Sequence, residues 1–574
     1  MKRMYIYLKH SWWQALLAIL IVITRVSLDL SLPDYMSQIV DQGILKNNSS
    51  VITSIGMTML ITALVVMVLF MVGSYLAAYI GSTVAHIIRK DLYRKIESFS
   101  LVEFDHFSSA SLITRATNDV AQIQQILTMS FRVMLAAPLY GTIALIKAIQ
   151  INSSMAFVFA LAIPLVFTII LSLFHMTNPR FEAVQRLTDR LNRLFRESLL
   201  GIRVIRAFNA QTVQSEKLNT VSQDVTENNI RLVRIMGLMD PSIQIIMSFG
   251  ILILVWLGSH AISNSTLQVG QMMAFIQYAT QVTTSLLTLS MVMAVYPKAD
   301  VSGKRIAAIL DSEPTLVDPL IASQISTQAL TVQFDAVSFT YPKASQEAVK
   351  NISFQAKPNT VTAIIGSTGS GKSTLMNLIL RLYDPSSGSI RINDFPLSKL
   401  KQADLHRLVA YIPQKITLLS GTVKESLSMG ASYSDEEIWD ALDMAQAKSF
   451  IQSTQKQLNH PIVQGATNLS GGQKQRLAIA RALLTKAPIL VFDDSFSALD
   501  FKTDKALRHA LHQNLKNTTI FIVGQRVSSV MHSDQIIVMD KGECVSIGTH
   551  QSLLNSCKVY QEIASSQLTA EELV

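Results

Sequence analysis

The run GSTGSGKST, Gly366 to Thr374, has the residue types and spacing of a phosphate cradle. Its glycines let the backbone N–H groups of Gly366, Ser367, Thr368, Gly369, Ser370 and Gly371 wrap phosphate oxygens. Lys372 would reach the terminal phosphates, the Ser373 hydroxyl would ligate Mg²⁺, and Thr374 continues into the next element. The run follows a strand-like TVTAII and precedes a helical KSTLMNLILRLY, so a bound phosphate would also meet a helix N-terminus. Binding of ATP or GTP is the expectation.

A second run, ILVFDDSFSALD, Ile489 to Asp500, passes from apolar to acidic. Asp493 would end a buried strand and hold the Mg²⁺, directly or through water. The next residue, Asp494, stands where a nucleotide hydrolase polarises the attacking water, and it is the shorter of the two carboxylates.

These two runs must be positioned by the rest of a 574-residue chain, long enough for two or three domains. Hydrophobic residues make up 49% and charged residues 16%, a balance that directs the search to membrane segments. The net charge is +9, and two cysteines, Cys544 and Cys557, form no disulfide framework. Six apolar segments precede residue 300: roughly Trp12–Leu32, within Val51–Gly81, Leu127–Ile149, Met155–Phe174, Ser242–Ile262 and Val269–Tyr296. Each supplies the ~20 residues needed to cross a hydrocarbon core. The first is interrupted by Arg25 and Asp29 and lacks a cleavage pattern, so it reads as a membrane helix and not a signal peptide.

Short links near Lys46, Asn152 and Asn264 alternate with long basic ones at His86–Asp119 and Arg180–Arg234, which places both termini in the cytoplasm. RFEAVQRLTDRLNRLFRESLLGIRVIRAF keeps apolar residues at helical spacing, so it reads as a solvated helix beyond the bilayer and not as a nucleic-acid patch. Arg25 and Asp29, four apart, share one helix face, as an ion pair or as separate groups. Near Asp311 the composition changes to the proline-containing DSEPTLVDPLIASQIS, and then strand-like and helical runs alternate. The expected architecture is an all-α membrane domain of six helices with long cytoplasmic extensions, residues 1–310, a linker 311–328, and an α/β P-loop nucleotide-binding domain, 329–574.

Between the two chemical runs lies NLSGGQKQRLAIARALL, Asn468 to Leu484. LSGGQ after a phosphate loop and just before an acidic strand resembles the signature of ATP-binding cassette (ABC) proteins. Six membrane helices joined to one such domain resemble an ABC half-transporter of the exporter type. The resemblance implies a head-to-tail dimer in which each ATP lies on one chain's phosphate loop and is closed over by the other chain's Ser470, Gly471, Gly472 and Gln473. It further implies that Tyr341 stacks on adenine, Gln414 touches Mg²⁺ and the membrane domain, and Asp500 contacts the opposing subunit. GIRVIRAFNAQ and FDHFSSASLITRATNDV resemble the cytoplasmic loops whose short helices carry domain closure to the membrane part.

Two positions depart from the family pattern. Glutamate usually follows the magnesium aspartate, and here it is Asp494; a histidine usually marks the switch, and here it is Gln525, which is neutral and relays no proton. A displacement of about 1 Å can cost ~10²-fold in rate, and general-base help is worth roughly 10² to 10⁴. With both changes in one composite site and LSGGQ intact, the expectation is ATP binding with weak hydrolysis at this chain's own loop. The partner is then a second half-transporter carrying the glutamate and the histidine. Export of a small hydrophobic or amphipathic compound, a drug or lipid, across a bacterial plasma membrane is the expected role. A homodimer, a metal-chelate importer of the same architecture and an ATP-gated membrane regulator are the alternatives; nucleic acid is not an expected partner.

Overall fold

Helices dominate the first half of the chain because its apolar runs leave backbone groups no partner but their own. The computed structural model describes residues 2–568 apart from 322–324, 326–328, 497–498 and 516. Among the described residues, five helical stretches are long and apolar enough to cross a membrane: Arg3–Ile44, Ser49–Glu97, Ser109–Ile151, Ser153–Leu200 and Gln211–Ser263. A sixth long helix, Val269–Leu310, covers the last expected segment and is diluted by threonine and glutamine. The 49 residues of Ser49–Glu97 extend over about 70 Å, more than twice a hydrocarbon core of ~30 Å. The helices therefore run well past any bilayer.

The chain divides into two compact units, Met1–Glu97 with Ser109–Ser312, and Ser98–Ser108 with Glu313–Val574. The first unit buries Val26, Leu30, Phe159, Phe275 and Tyr278 between helices, while Trp12, Trp13, Leu20, Phe157 and Leu161 face outward. Several of its polar groups pair internally, which offsets the cost of burying them in a low-dielectric medium. Asp34 accepts from Lys147 Nζ at 2.7 Å and from the Tyr278 hydroxyl at 2.6 Å. Asp41 accepts from the Gly270 and Gln271 amides at 2.7 and 3.2 Å, satisfying donors at the start of Val269–Leu310. Arg25 and Asp29 do not pair among the described residues: Asp29 takes the Tyr140 hydroxyl at 2.6 Å and the Arg25 guanidinium lies over the Phe70 ring, 5.2 Å from its centroid. π-helical turns interrupt the helices at Ile39–Ile44, Arg115–Asp119 and Ser130–Met134.

The second unit is built on a six-stranded sheet. In spatial order its strands are Glu543–Gly548, Gln535–Asp540, Val361–Gly366, Thr519–Gly524, Ile489–Asp493 and Val409–Ile412, all parallel except the first. The central strands are covered on both faces, and alternate residues serve different cores. Ala363, Ile365, Leu490, Phe492, Ile520 and Ile522 face one cluster; Ile364, Ile489, Val491, Phe521 and Val523 face the other. That is why these strands read as continuous apolar runs and not as alternating ones. A smaller antiparallel sheet contains Val332–Phe339, Val349–Ala356, Ser387–Ile392 and Phe395–Pro396.

The helix Leu101–Phe107 groups with this second unit, although its sequence lies between two membrane helices. It opens on a capping box in which Ser100 Oγ accepts from Val102 N and Glu103 returns to the Ser100 backbone at 2.8 Å. The other Glu103 oxygen accepts from Thr315 N at 3.1 Å and from the Thr315 hydroxyl. The stretch read as a linker is tied down in part: Asp318 also accepts from Gln402 N at 2.9 Å. Residues 322–324 and 326–328 of that stretch lie outside the described ones.

Candidate ATP-binding site

The strand order dictates where a nucleotide sits. Val523 pairs with Asp493 on one side and Ile364 on the other, so the phosphate loop and the acidic strand flank the end of Thr519–Gly524. Ligands of open parallel sheets bind at these carboxyl ends. A cleft of about 340 Å³ lies there, lined among others by Tyr341, Thr368, Gly369, Gly371, Lys372, Ser373, Thr374, Gln414, Asp493, Asp494 and Gln525.

The loop turns on two left-handed glycines, Gly369 at φ 84° and Gly371 at φ 97°. A Cβ at Gly371 would lie 2.6 Å from the Ala348 carbonyl, so this position is closed to larger residues by space as well as by φ. Gly371 caps the helix Lys372–Ile379, leaving that helix's first N–H groups to the cleft. The Lys372 ammonium donates to the Gly366 and Ser367 carbonyls at 2.8 and 2.6 Å and to Ser370 Oγ at 3.3 Å. Burial pulls its pKa below the ordinary lysine value, partly offset by Asp493 and Asp494. Gly366, Ser367 and Ser370 thus act through this lysine and the turn.

Asp493 is buried, with Oδ1 accepting from Ser373 Oγ at 3.2 Å and Oδ2 from the Tyr411 hydroxyl at 3.0 Å. Burial raises its pKa, and the two hydroxyls pull the other way. A single carboxylate beside a hydroxyl is a hard-oxygen pair of the kind Mg²⁺ takes when phosphates and water complete its shell. Among the described residues no cluster of three His, Cys, Asp or Glu is placed to hold a metal without such help. The residues present therefore fit Mg²⁺ brought with nucleotide, which Ser373 and Asp493 would hold, and Gln414 lines the same cleft.

Asp494 is half-buried, and its Oδ2 accepts from Gln414 Nε2 at 3.2 Å. Its backbone is left-handed, φ 48°, a conformation Asp adopts more readily than most side chains. Its amide still donates to Val523 O at 2.9 Å, which extends the ladder by one residue. Gln525 is exposed at the rim. Tyr341 lines the cleft with its hydroxyl 3.1 Å from Thr374 Oγ1, and its ring meets Tyr383 edge-on at 5.4 Å.

Two predicted groups lie elsewhere. Ser470, Gly471, Gly472 and Gln473 do not line the cleft. They start the helix Gly471–Leu484 with a reciprocal box: Gln473 N donates to Ser470 Oγ at 3.3 Å and Ser470 N to Gln473 Oε1 at 2.9 Å. Ser470 and Gly471 are exposed, so the helix N-terminus is open to an anion from outside. Asp500 caps the helix Phe501–Asn514 through Thr503, at 2.9 Å to its amide and 2.8 Å to its hydroxyl; those bonds hold its pKa below the usual value. Tyr411 was missed by sequence reasoning. It lies in the strand adjacent to Ile489–Asp493, a pairing of distant segments that the sequence does not announce.

A helical membrane unit and a parallel-sheet ATP-binding unit in one chain define a membrane transport ATPase. The family model of the ABC transporter transmembrane region matches residues 15–286, and that described as ABC transporter matches residues 349–497. An uncharacterized ABC transporter ATP-binding protein of Bacillus subtilis, YfiB, is 34% identical over 557 residues, covering 97% of this chain and 96% of that protein. A probable multidrug resistance ABC transporter ATP-binding/permease protein of the same organism, YheI, is 31% identical over 493 residues, covering 85% and 84%. A solved bacterial Atm1-family ABC exporter with ATP bound shares the fold, with a TM-score of 0.82, 21% identity and coverage of 98% and 99%. The chain belongs to the ABC transporter family, as a membrane region and an ATP-binding domain fused in one multi-pass polypeptide whose ATPase is coupled to transport.

Proposed function

We propose that this chain is one half of an ATP-driven exporter of hydrophobic or amphipathic compounds, paired with a second, different half-transporter. Its own phosphate loop grips Mg²⁺–ATP through Lys372, Ser373 and Asp493 and turns it over slowly. The partner's loop, closed by this chain's Ser470–Gln473, does most of the hydrolysis. The observation that carries the reading is the contrast within one domain: Asp494 and Gln525 line the cleft in place of the family's usual glutamate and histidine, while the Ser470–Gln473 helix start carries its full capping box. The Asp494 carboxylate, one methylene shorter than glutamate, is also tethered to Gln414. The multidrug name borne by one relative supports export over import. The charge pattern of the loops favours cytoplasmic termini, and a bacterial plasma membrane is proposed from the resemblance to bacterial relatives.

Purified chain, alone and co-assembled with the neighbouring half-transporter, tests this by ATP turnover. The pair is expected to turn over ATP at least tenfold faster than the lone chain. Brisk hydrolysis by the lone chain would instead establish a homodimer.

A further inference from the structure

Two guanidiniums converge on one aromatic ring inside the membrane unit. Arg25 lies over Phe70 at 5.2 Å and Arg132 at 5.6 Å. Arg25 is 7% exposed, and its buried Nε has no hydrogen-bond partner. Arg132 is exposed to a cavity of about 660 Å³ whose walls include Phe70, Gln124, Gln125, Thr128 and Met129. That volume is in the range of small-molecule sites.

Both arginines fall within apolar helical stretches, where an unpaired charge is costly and is a functional signal. Among the described residues neither forms an ion pair with a carboxylate. Asp29, one turn along the same helix, accepts from the Tyr140 hydroxyl at 2.6 Å. The helix Val120–Met129 lines the cavity with two amides, a hydroxyl and a thioether, and Ser49–Glu97 adds the Phe70 ring. The guanidinium of Arg132 sits in the π-helical turn Ser130–Met134, an irregularity of the kind that recurs at functional positions.

We infer that this cavity is a subsite for the anionic head of an amphiphile, a carboxylate or phosphate carried on an apolar body. The head meets Arg132, and Arg25, on the same Phe70 ring, reinforces the positive field. The body lies along Phe70 and Met129, and flexible thioethers tolerate varied shapes. This rests on the export reading above and narrows its substrate class by sign of charge.

The test uses the full chain in nanodiscs of zwitterionic lipid, with empty discs as background. Three fluorescent twelve-carbon probes differ only in the head: carboxylate, primary amide and trimethylammonium. The carboxylate is expected to bind about tenfold tighter than the other two, the value of one charge-assisted contact. Arg132→Gln should erase that preference, and Arg132→Lys should keep part of it. Equal binding of the three probes, or a preference that survives Arg132→Gln, overturns the inference.

Discs containing phosphatidylglycerol separate the sources of the anion. Competitive loss of probe places a lipid headgroup in the subsite; undiminished binding places a transported solute there. Both outcomes support an anion site. Because binding needs no turnover, anion preference in a chain that pumps nothing sinks the export reading alone. Equal pumping of cations and anions sinks this inference alone.

Discussion

The Tyr383 hydroxyl donates to Asp105 Oδ2 at 3.0 Å, joining residues 278 positions apart. Asp105 lies on the helix Leu101–Phe107, and the Tyr383 ring meets Tyr341 and Phe339 at 5.4 and 5.3 Å. Burial and the Asp105 carboxylate keep this phenol protonated far above neutral pH. The ring proposed to stack on adenine is therefore one ring away from a helix that belongs, in sequence, to a loop between membrane helices. Tyr383→Phe removes the hydrogen bond and leaves the stacking. It should cost ~1 kcal/mol of stability, leave ATP affinity within twofold, and reduce the stimulation of ATPase by transported compound. Basal and stimulated turnover, measured side by side, check this; an equal fall in both would refute it.

Asp494→Glu with Gln525→His should raise ATP turnover of the lone chain by roughly 100-fold, the lower end of the usual worth of general-base assistance. Glutamate at φ 48° is less comfortable than aspartate, so the single change should show a smaller gain and a slightly lower melting temperature. Steady-state ATPase and thermal melts on the three variants decide it.

Gly371 and Gly369 are both left-handed, but only Gly371 is crowded; nothing lies within 4 Å of a Cβ built on Gly369. Gly369→Ala should cost about 1 kcal/mol of backbone strain and leave the domain folded. Gly371→Ala meets the Ala348 carbonyl in addition and should abolish nucleotide binding at micromolar ATP. Fluorescent-nucleotide titrations compare the two directly.

Asp493 has a pKa raised by burial in the nucleotide-free domain. The folded state therefore binds its proton more tightly than the unfolded state does. Its stabilising contribution is complete below the ordinary carboxylate range and is lost as pH rises through the elevated value. Asp493→Asn removes this penalty. Without nucleotide the variant should melt a few degrees higher than the parent at neutral pH, with the difference shrinking in acid. It should also lose the extra stabilisation that Mg²⁺–ATP gives the parent. Melting curves across pH, with and without Mg²⁺–ATP, test both halves.

The phosphate loop, the acidic strand and the Ser470–Gln473 helix start were legible because each is local, with its chemistry written in consecutive residues. The helical extensions beyond the bilayer were also legible, since Ser153–Leu200 keeps one helical period through its apolar and charged halves. Tyr411 on Asp493 and Tyr383 on Asp105 depend on which distant segments become neighbours, and single-residue patterns do not encode that. The linker was read from its prolines and its lack of a long apolar run, and Thr315 and Asp318 are bound by groups elsewhere in the chain. Arg25 and Asp29 share a helix face as their spacing requires, but each meets a partner on another helix, Phe70 and Tyr140.

Leu101 and Val102 pack against one core of the ATP-binding unit, and Glu103 fastens Thr315. Cutting the gene near codon 313 to obtain a soluble fragment would strip away those eleven residues, Ser98 to Ser108, and with them a piece of the fragment's own interior. The trimmed protein would display a greasy scar beside Tyr383 and would be prone to clump. Supplying the missing helix as a free peptide, or grafting it through a short tether, should restore good behaviour.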